Sequence, residues 1–94
     1  MSATLFKRDN TVTSVSPILD LFSENHIKEL LECDKIEVKY ASPGMLYILS
    51  KNEYVNEIMA KTATYCGNIL YVNEKFVDPF VLKSYQISYL TWNN

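Results

Sequence analysis

The residue types best suited to catalysis in this chain are one histidine and two cysteines. His26 and Cys33 lie seven positions apart in a segment with helical periodicity, and Cys66 follows thirty-three residues later. A cysteine–histidine pair acts as nucleophile and base only when its side chains are within hydrogen-bonding distance. Seven helical residues separate them by about 10 Å of rise alone, so we interpret His26 as a helix-surface or core-edge residue. The cysteines form no C-x-x-C motif, and we interpret them as reduced thiols.

The remaining polar residues do not indicate a metal site or an acid–base pair. Structural zinc needs four suitable ligands, and the carboxylates have no metal-like spacing relative to the cysteines and the histidine. Glu29, Glu32 and Asp34 lie among lysines on an expected solvated helix face, without the desolvated cleft that separates two carboxylate pKa values. Two glycines, Gly44 and Gly67, are too few for a glycine-rich phosphate loop. We predict no catalytic residue, no metal and no cofactor.

Tyrosines offer a different chemistry, because planar bases stack on aromatic rings. Those in segments predicted to be extended are Tyr40, Tyr47, Tyr71, Tyr85 and Tyr89. A sheet that binds single-stranded RNA usually carries a basic glycine-aromatic motif on a central strand, which Met45–Leu49 lacks. The formal net charge of −2 provides no attraction for a polyanion. RNA binding is therefore the third candidate function, behind a small nucleotide ligand stacked on Tyr40, Tyr47 and Tyr71.

The composition predicts one globular domain over residues 1–94. Hydrophobic residues make up 48% and aromatic residues 13% of the chain, which favours a packed core over disorder. The N-terminus lacks a charged region followed by an apolar one. The longest uncharged apolar runs, such as Met45–Leu49, are far too short to cross a bilayer. We expect a cytoplasmic protein with no membrane partner.

The N-terminal third is predicted to contain extended structure and then a helix. Thr4–Val15 alternates weakly around Asp9-Asn10 and could form one irregular strand or a hairpin. Ser16-Pro17 is a typical helix start, and apolar residues recur at helical spacing as far as Cys33. Ser23 could begin a second helix, which would divide the segment into two.

The middle of the chain is predicted to form a β-hairpin and a second helix. Ile36–Tyr40 and Met45–Leu49 are the strands, and Ser42-Pro43-Gly44 is a turn whose glycine takes a positive φ. The continuously apolar second strand should be central in the sheet. Ser50-Lys51-Asn52-Glu53 matches a capping box, so we predict a helix over Lys51–Cys66.

The C-terminal third is predicted to be extended. Ile69–Val72 is a short apolar strand, and Asp78-Pro79 indicates a sheet edge or a bulge, because proline cannot donate to a β-ladder. Val81–Trp92 follows as a long final strand. In sequence order the elements give an α+β fold, a ferredoxin-like β-α-β-β-α-β sandwich with an extra C-terminal strand.

The segment Ile36–Val72 contains a series of residue types that can be compared with known families. It comprises Ile36-Glu37-Val38, Leu46-Tyr47, Asn56, Ala60 or Ala63, Gly67 and Ile69-Leu70-Tyr71-Val72. The series resembles a family of small phage-encoded domains of unknown function, although the family's usual glycine after the second strand is absent. The resemblance implies a viral accessory protein that acts on a host system in the host cytoplasm, with no residue roles to transfer.

The final strand suggests how the protein acts. Fully extended, Val81–Trp92 would span about 40 Å, roughly twice the usual strand in a domain of this size. An overhang with Lys83 as its only charge would need cover from a second chain. We therefore predict a homo-oligomer, most simply a dimer, that works as a regulator or inhibitor. A bend near Ser84 that folds the segment over its own core is the alternative. The predicted interface residues are Tyr85, Ile87, Tyr89, Leu90 and Trp92.

Overall fold

The computed structural model describes residues 3–9, 11–50 and 68–89. In chain order these residues form β1 (Ala3–Phe6), β2 (Val12–Val15), α1 (Glu24–Leu31), β3 (Ile36–Ser42), β4 (Met45–Ser50), β5 (Ile69–Asn73), a 3-10 helix (Glu74–Phe76), α2 (Pro79–Ser84) and β6 (Ser88–Tyr89). The six strands make one sheet, so the predicted α+β class is confirmed. The predicted helix Lys51–Cys66 lies outside the described residues.

The strand order is β2-β1-β5-β4-β3-β6. All neighbours are antiparallel except β3 and β6, which are parallel. A ferredoxin-like sheet would place β1 between β4 and β5, so the observed order differs from the predicted one. A physical reason is the apolar character of β5, where Leu70 and Val72 are buried on one face while Ile69 and Tyr71 are half-buried on the other. Such a strand suits the interior of a sheet, and the β1–β2 hairpin occupies the edge instead.

The N-terminal segment forms the hairpin that was one of its two predicted conformations. The Lys7 amide donates to the Thr11 carbonyl at 2.9 Å, which closes the hairpin beyond the last strand pair. The Asp9 carboxylate accepts from the Thr11 amide at 3.0 Å and from the Thr11 hydroxyl at 2.6 Å. These hydrogen bonds stabilise the turn and lower the pKa of Asp9.

Helix α1 begins later than Ser16-Pro17 predicts. Its N-cap is Ser23, whose hydroxyl accepts from the His26 amide at 3.2 Å. The predicted start at Pro17 is wrong, because the backbone of Phe22 is hydrogen-bonded to a distant segment. Its amide donates to the Phe76 carbonyl at 2.7 Å, and its carbonyl accepts from the Asp78 amide. A residue held by this long-range bridge cannot continue a helix, so the helix starts immediately after it.

The predicted strand Val81–Trp92 is also wrong in its first part. Asp78 caps a helix instead, its carboxylate accepting from the Phe80 amide at 3.0 Å, with Pro79 as the first helical residue. Proline fits this position because the first helical amides have no intrahelical acceptor. After α2 the chain turns back towards the sheet, and among the described residues of this segment Ser88–Tyr89 is paired as strand.

The central hairpin agrees with the sequence prediction. β3 and β4 pair antiparallel around a turn in which Gly44 has a φ of 82°, a conformation that only glycine adopts without strain. β4 lies between β5 and β3, as its apolar sequence predicts. The core lies between one face of the sheet and the helices α1 and α2, and its largest fully buried side chains are Phe22, Ile27, Leu31, Leu46, Ile48, Leu70, Val38, Val72, Val77 and Val81. Leu49 is also fully buried, but it alternates to the other face of the sheet.

Candidate interaction surfaces

The two faces of the sheet carry different side chains, because residues alternate between faces along a strand. Val38, Ile48 and Leu70 are directly opposite one another across β3, β4 and β5, and they face the core. We call this side the core face. Lys39, Tyr47, Tyr71 and Thr4 form an equivalent row on the other side, which we call the second face. Tyr47 and Tyr71 therefore share a face, whereas the third stacking candidate, Tyr40, lies on the core face.

Tyr47 and Tyr71 form a cross-strand aromatic pair. Their ring centroids are 5.0 Å apart, with planes at 43°, and both side chains are half-buried. Aromatic rings in direct contact have centroid separations of about 4.5–7 Å, so no planar base fits between them.

Tyr40 has a structural role where β3 pairs with the edge strand β6. Its hydroxyl donates to Glu74 Oε1 at 2.8 Å, and this hydrogen bond raises the pKa of Tyr40. Its ring lies 5.3 Å from that of Tyr89, its neighbour across the β3–β6 pair. Tyr40 thus anchors β6 and the 3-10 helix to the end of β3.

Among the predicted interface residues, Tyr85 and Ile87 pack against the protein's own core. The Tyr85 hydroxyl donates to Glu24 Oε2 at 2.8 Å. The same carboxylate oxygen forms an ion pair with Lys28 Nζ at 3.0 Å. Burial, with a further contribution from Glu24, raises the pKa of Tyr85 to about 12. The segment therefore follows the bend-back alternative at these two positions.

The outer part of the same segment is more accessible. Tyr89 is 57% exposed, while Leu90 and Trp92 lie outside the described residues. Ser88 and Tyr89 are the described residues of β6, and Lys39 Nζ donates to Ser88 Oγ at 3.2 Å beside them. A lysine next to an edge strand is a typical protection against strand pairing. Because Pro79–Ser84 is helical, the described part of this segment does not form the single long strand expected from the sequence.

The opposite edge of the sheet, β2, has no such protection. Val12, Thr13 and Ser14 are exposed and Val15 is half-buried. Among the described strands β2 pairs with β1 alone, and it contains no charged residue and no proline. Sequence reasoning overlooked this edge because the alternation is weak. The uncharged run 11–19 was the available signal.

Large apolar side chains are exposed next to this edge and on α2. Ile18 and Leu19 are 74% and 83% exposed in the loop after β2, and Phe80 is 76% exposed. Val12 is 61% exposed and lies opposite Phe6, which is also exposed. Side chains of this kind are common singly, but a concentration of them is typical of contact surfaces.

His26 and Cys33 make separate contacts. The His26 ring stacks on Phe22 with centroids 5.4 Å apart, and its Nδ1 is buried with no hydrogen-bond partner among the residues that the structure describes. Cys33 Sγ donates to the Lys35 carbonyl at 3.2 Å. Cys33 also lines a shallow, open depression of about 460 Å³ with Asn25, Lys28, Glu29 and Asp34.

Within residues 3–9, 11–50 and 68–89, no group of three or more histidine, cysteine or acidic side chains is arranged to hold a metal ion. None of the helices described there has the length and apolarity needed to cross a membrane. The sequence matches no known protein-family model, and no curated protein or solved structure is significantly similar to it.

Proposed function

We propose that this protein is a small, non-enzymatic interaction protein that self-associates and acts in the cytoplasm as a regulator or inhibitor of another protein. The observation that carries the proposal is the exposure of large apolar side chains outside the buried core that the described residues form. Leu19, Phe80, Ile18 and Val12 are all more than half exposed. Such a surface is typical of proteins that bind other proteins.

The energetics support association through this surface. Complete burial of one large apolar side chain contributes about 1.5–3 kcal/mol. Association must offset about 4–15 kcal/mol of lost rigid-body freedom, so several of these side chains have to be buried together. A two-fold dimer doubles the number buried, because each copy presents the same surface. The homodimer is therefore the simplest assembly that fits.

The proposed target is a host protein. The resemblance of Ile36–Val72 to small phage-encoded domains supports a viral accessory role, and Phe80 of α2 is an exposed side chain that could contact such a target. Phe80 is the most exposed aromatic side chain described, and aromatic residues contribute strongly to protein–protein contacts.

Sedimentation velocity over a concentration series tests self-association. We expect a dimer at tens of micromolar and dissociation on dilution. A matched pair of variants, Leu19→Ser and Leu82→Ser, separates surface from core effects, because Leu82 is half-buried against the core whereas Leu19 is exposed. Leu19→Ser should weaken the dimer without lowering the melting temperature of the monomer, which is measured in samples dilute enough for the wild type to be dissociated. A wild-type protein that is monomeric throughout the series contradicts the proposal.

A small nucleotide-binding protein is the second candidate, favoured by the Tyr47–Tyr71 pair on the second face. The purified protein would then show an absorbance ratio shifted towards 260 nm by co-purified nucleotide, as expected for a base stacked on an aromatic ring. Replacing Tyr47 with leucine should abolish the shift, while replacing Tyr85 should not. An unshifted spectrum, with no quenching of tyrosine fluorescence by added nucleoside monophosphates, excludes this candidate. Single-stranded RNA has no comparable support, given the net charge of −2.

A further inference from the structure

The hydrogen-bonding pattern of the β1–β2 hairpin shows which backbone groups of β2 are directed outward. The Lys7 amide bonds to the Thr11 carbonyl, and hydrogen-bonded pairs recur at every second position of an antiparallel ladder. Thr13 and Val15 therefore bond to Leu5 and Ala3, their partners on β1. The amide and carbonyl groups of the alternate residues, Val12 and Ser14, are directed away from β1 towards the open edge.

We infer that two copies of this chain pair antiparallel through β2, around a two-fold axis at Thr13, to form one sheet that continues across the dimer. The inference rests on the proposed self-association and assigns it to β2 rather than to the predicted C-terminal edge. With this register, Val12 is opposite the partner's Ser14, and Ser14 is opposite the partner's Val12. About four backbone hydrogen bonds form, and every outward group of β2 is used.

The side chains are compatible with this register. Thr13 faces the partner's Thr13, and threonine pairs across antiparallel strands are favourable. Val12, with Phe6 beside it on β1, lies next to the partner's Ser14. The strands β1 and β2 contain no charged residue, so two identical edges approach without repulsion.

Charges beyond the strand ends favour the antiparallel orientation. The turn 7–9 contains Lys7, Arg8 and Asp9 and has a net positive charge, whereas the loop 16–21 contains Asp20 alone and is negative. Antiparallel pairing places the turn of one copy near the loop of the other, so unlike charges meet at both ends. The exposed Ile18 and Leu19 of that loop are also brought towards the partner.

The two edges of the sheet differ in the features that normally prevent strand pairing. Short strands, charged side chains and prolines are the usual protections. β6, described as far as Tyr89, has the Lys39–Ser88 contact beside it. β2 has four residues and none of these protections. A second copy is therefore the occupant that β2 fits, in a closed isologous interface.

A charge-pairing experiment tests the register. Thr13→Lys places two lysines opposite each other at the axis, and Thr13→Glu does the same with two carboxylates. Each variant alone should have a dimer dissociation constant raised about five-fold or more. An equimolar mixture should recover the dimer, because lysine then faces glutamate. Ser42→Lys, an exposed substitution on β3, is the matched control and should dimerise like the wild type.

The outcomes separate the inference from the proposed function. If both Thr13 variants dimerise like the wild type, self-association stands and the assignment to β2 is wrong. Tyr89→Lys would then be expected to dissociate the dimer through the other edge. Weakening without recovery in the mixture, with circular dichroism unchanged, contradicts the Thr13 register. A monomeric wild type overturns both the inference and the proposed self-association.

Discussion

Removing the Tyr85 hydroxyl tests how the C-terminal segment is attached to the core. In Tyr85→Phe the ring stays in place and one hydrogen bond is lost, the 2.8 Å bond to Glu24 Oε2. A hydrogen bond to a charged group contributes about 1.5–3 kcal/mol. The Glu24 side chain is 37% exposed and keeps its ion pair with Lys28, so water compensates part of the loss. We expect a decrease of about 1 kcal/mol in the free energy of unfolding.

Urea denaturation followed by circular dichroism at neutral pH measures this difference. A loss of about 1 kcal/mol corresponds to a decrease of about 4–8 °C in the melting temperature of a domain of this size. The matched control is Tyr47→Phe, because the Tyr47 hydroxyl makes no hydrogen bond among the described residues. The control should be unchanged within about 0.5 kcal/mol.

The pH dependence supplies an independent check. The pKa of Tyr85 is about 12 in the folded protein, against 10.0 for a free tyrosine. The folded state therefore retains a proton that the unfolded state releases, and the stabilisation is complete below pH 10 and lost as the pH rises towards about 12. The difference between wild type and Tyr85→Phe should shrink across this window. A difference no larger than that of the control, or one that grows with alkaline pH, would refute the reasoning.

Three further substitutions should lower the unfolding free energy by different mechanisms, each measurable by urea denaturation. Gly44→Ala should lower the unfolding free energy by about 1–2 kcal/mol through backbone strain at a φ of 82°. A steric clash does not contribute, because the added methyl meets only Glu74 Oε2, at 3.9 Å. An unchanged midpoint would contradict this. Ser23→Ala should cost about 1 kcal/mol by removing the N-cap of α1, and Ser23→Asp should restore it. Phe22→Ala should cost about 3–5 kcal/mol, because the side chain is fully buried; a loss below 1 kcal/mol would place Phe22 outside the core.

The parts of the fold that were predictable depend on local signals. The β3–β4 hairpin follows from alternation on both strands and from a turn that needs a positive φ at Gly44, which is the conformation observed. β5 follows from a short apolar run bounded by polar residues. In each case the deciding signal lies within one short stretch of chain, although β5 then pairs with the distant strands β1 and β4.

The parts that were not predictable depend on distant residues. Ser16-Pro17 and Asp78-Pro79 carry the same helix-start signal, yet only the second starts a helix. The difference arises because Phe22 is bridged to Phe76 and Asp78, more than fifty residues away. Propensity is a weak prior that such tertiary contacts override.

The candidate site was predicted only in part for a related reason. The alternation of Tyr85, Ile87 and Tyr89 is typical of a strand, but extended chain that covers a core has the same period. Of these three residues, Tyr85 and Ile87 pack on the core, and Tyr89 is exposed at the edge of the sheet. The β2 edge could be recognised only once the strand order was known, because an edge is a property of the whole sheet.

The position of β5 in the sheet has a consequence for how the chain folds during synthesis. The N-terminal hairpin docks on β5, and the Arg8 amide bonds to Asn68 Oδ1 across 60 residues. The ribosome therefore releases β1 and β2 long before their partner strand exists, while β3 and β4 can already pair. Contacts this distant in sequence slow folding and prolong the exposure of apolar strands. We expect nascent chains stalled before residue 69 to have a native-like β3–β4 hairpin and a protease-sensitive N-terminus, and to be the species most prone to aggregate.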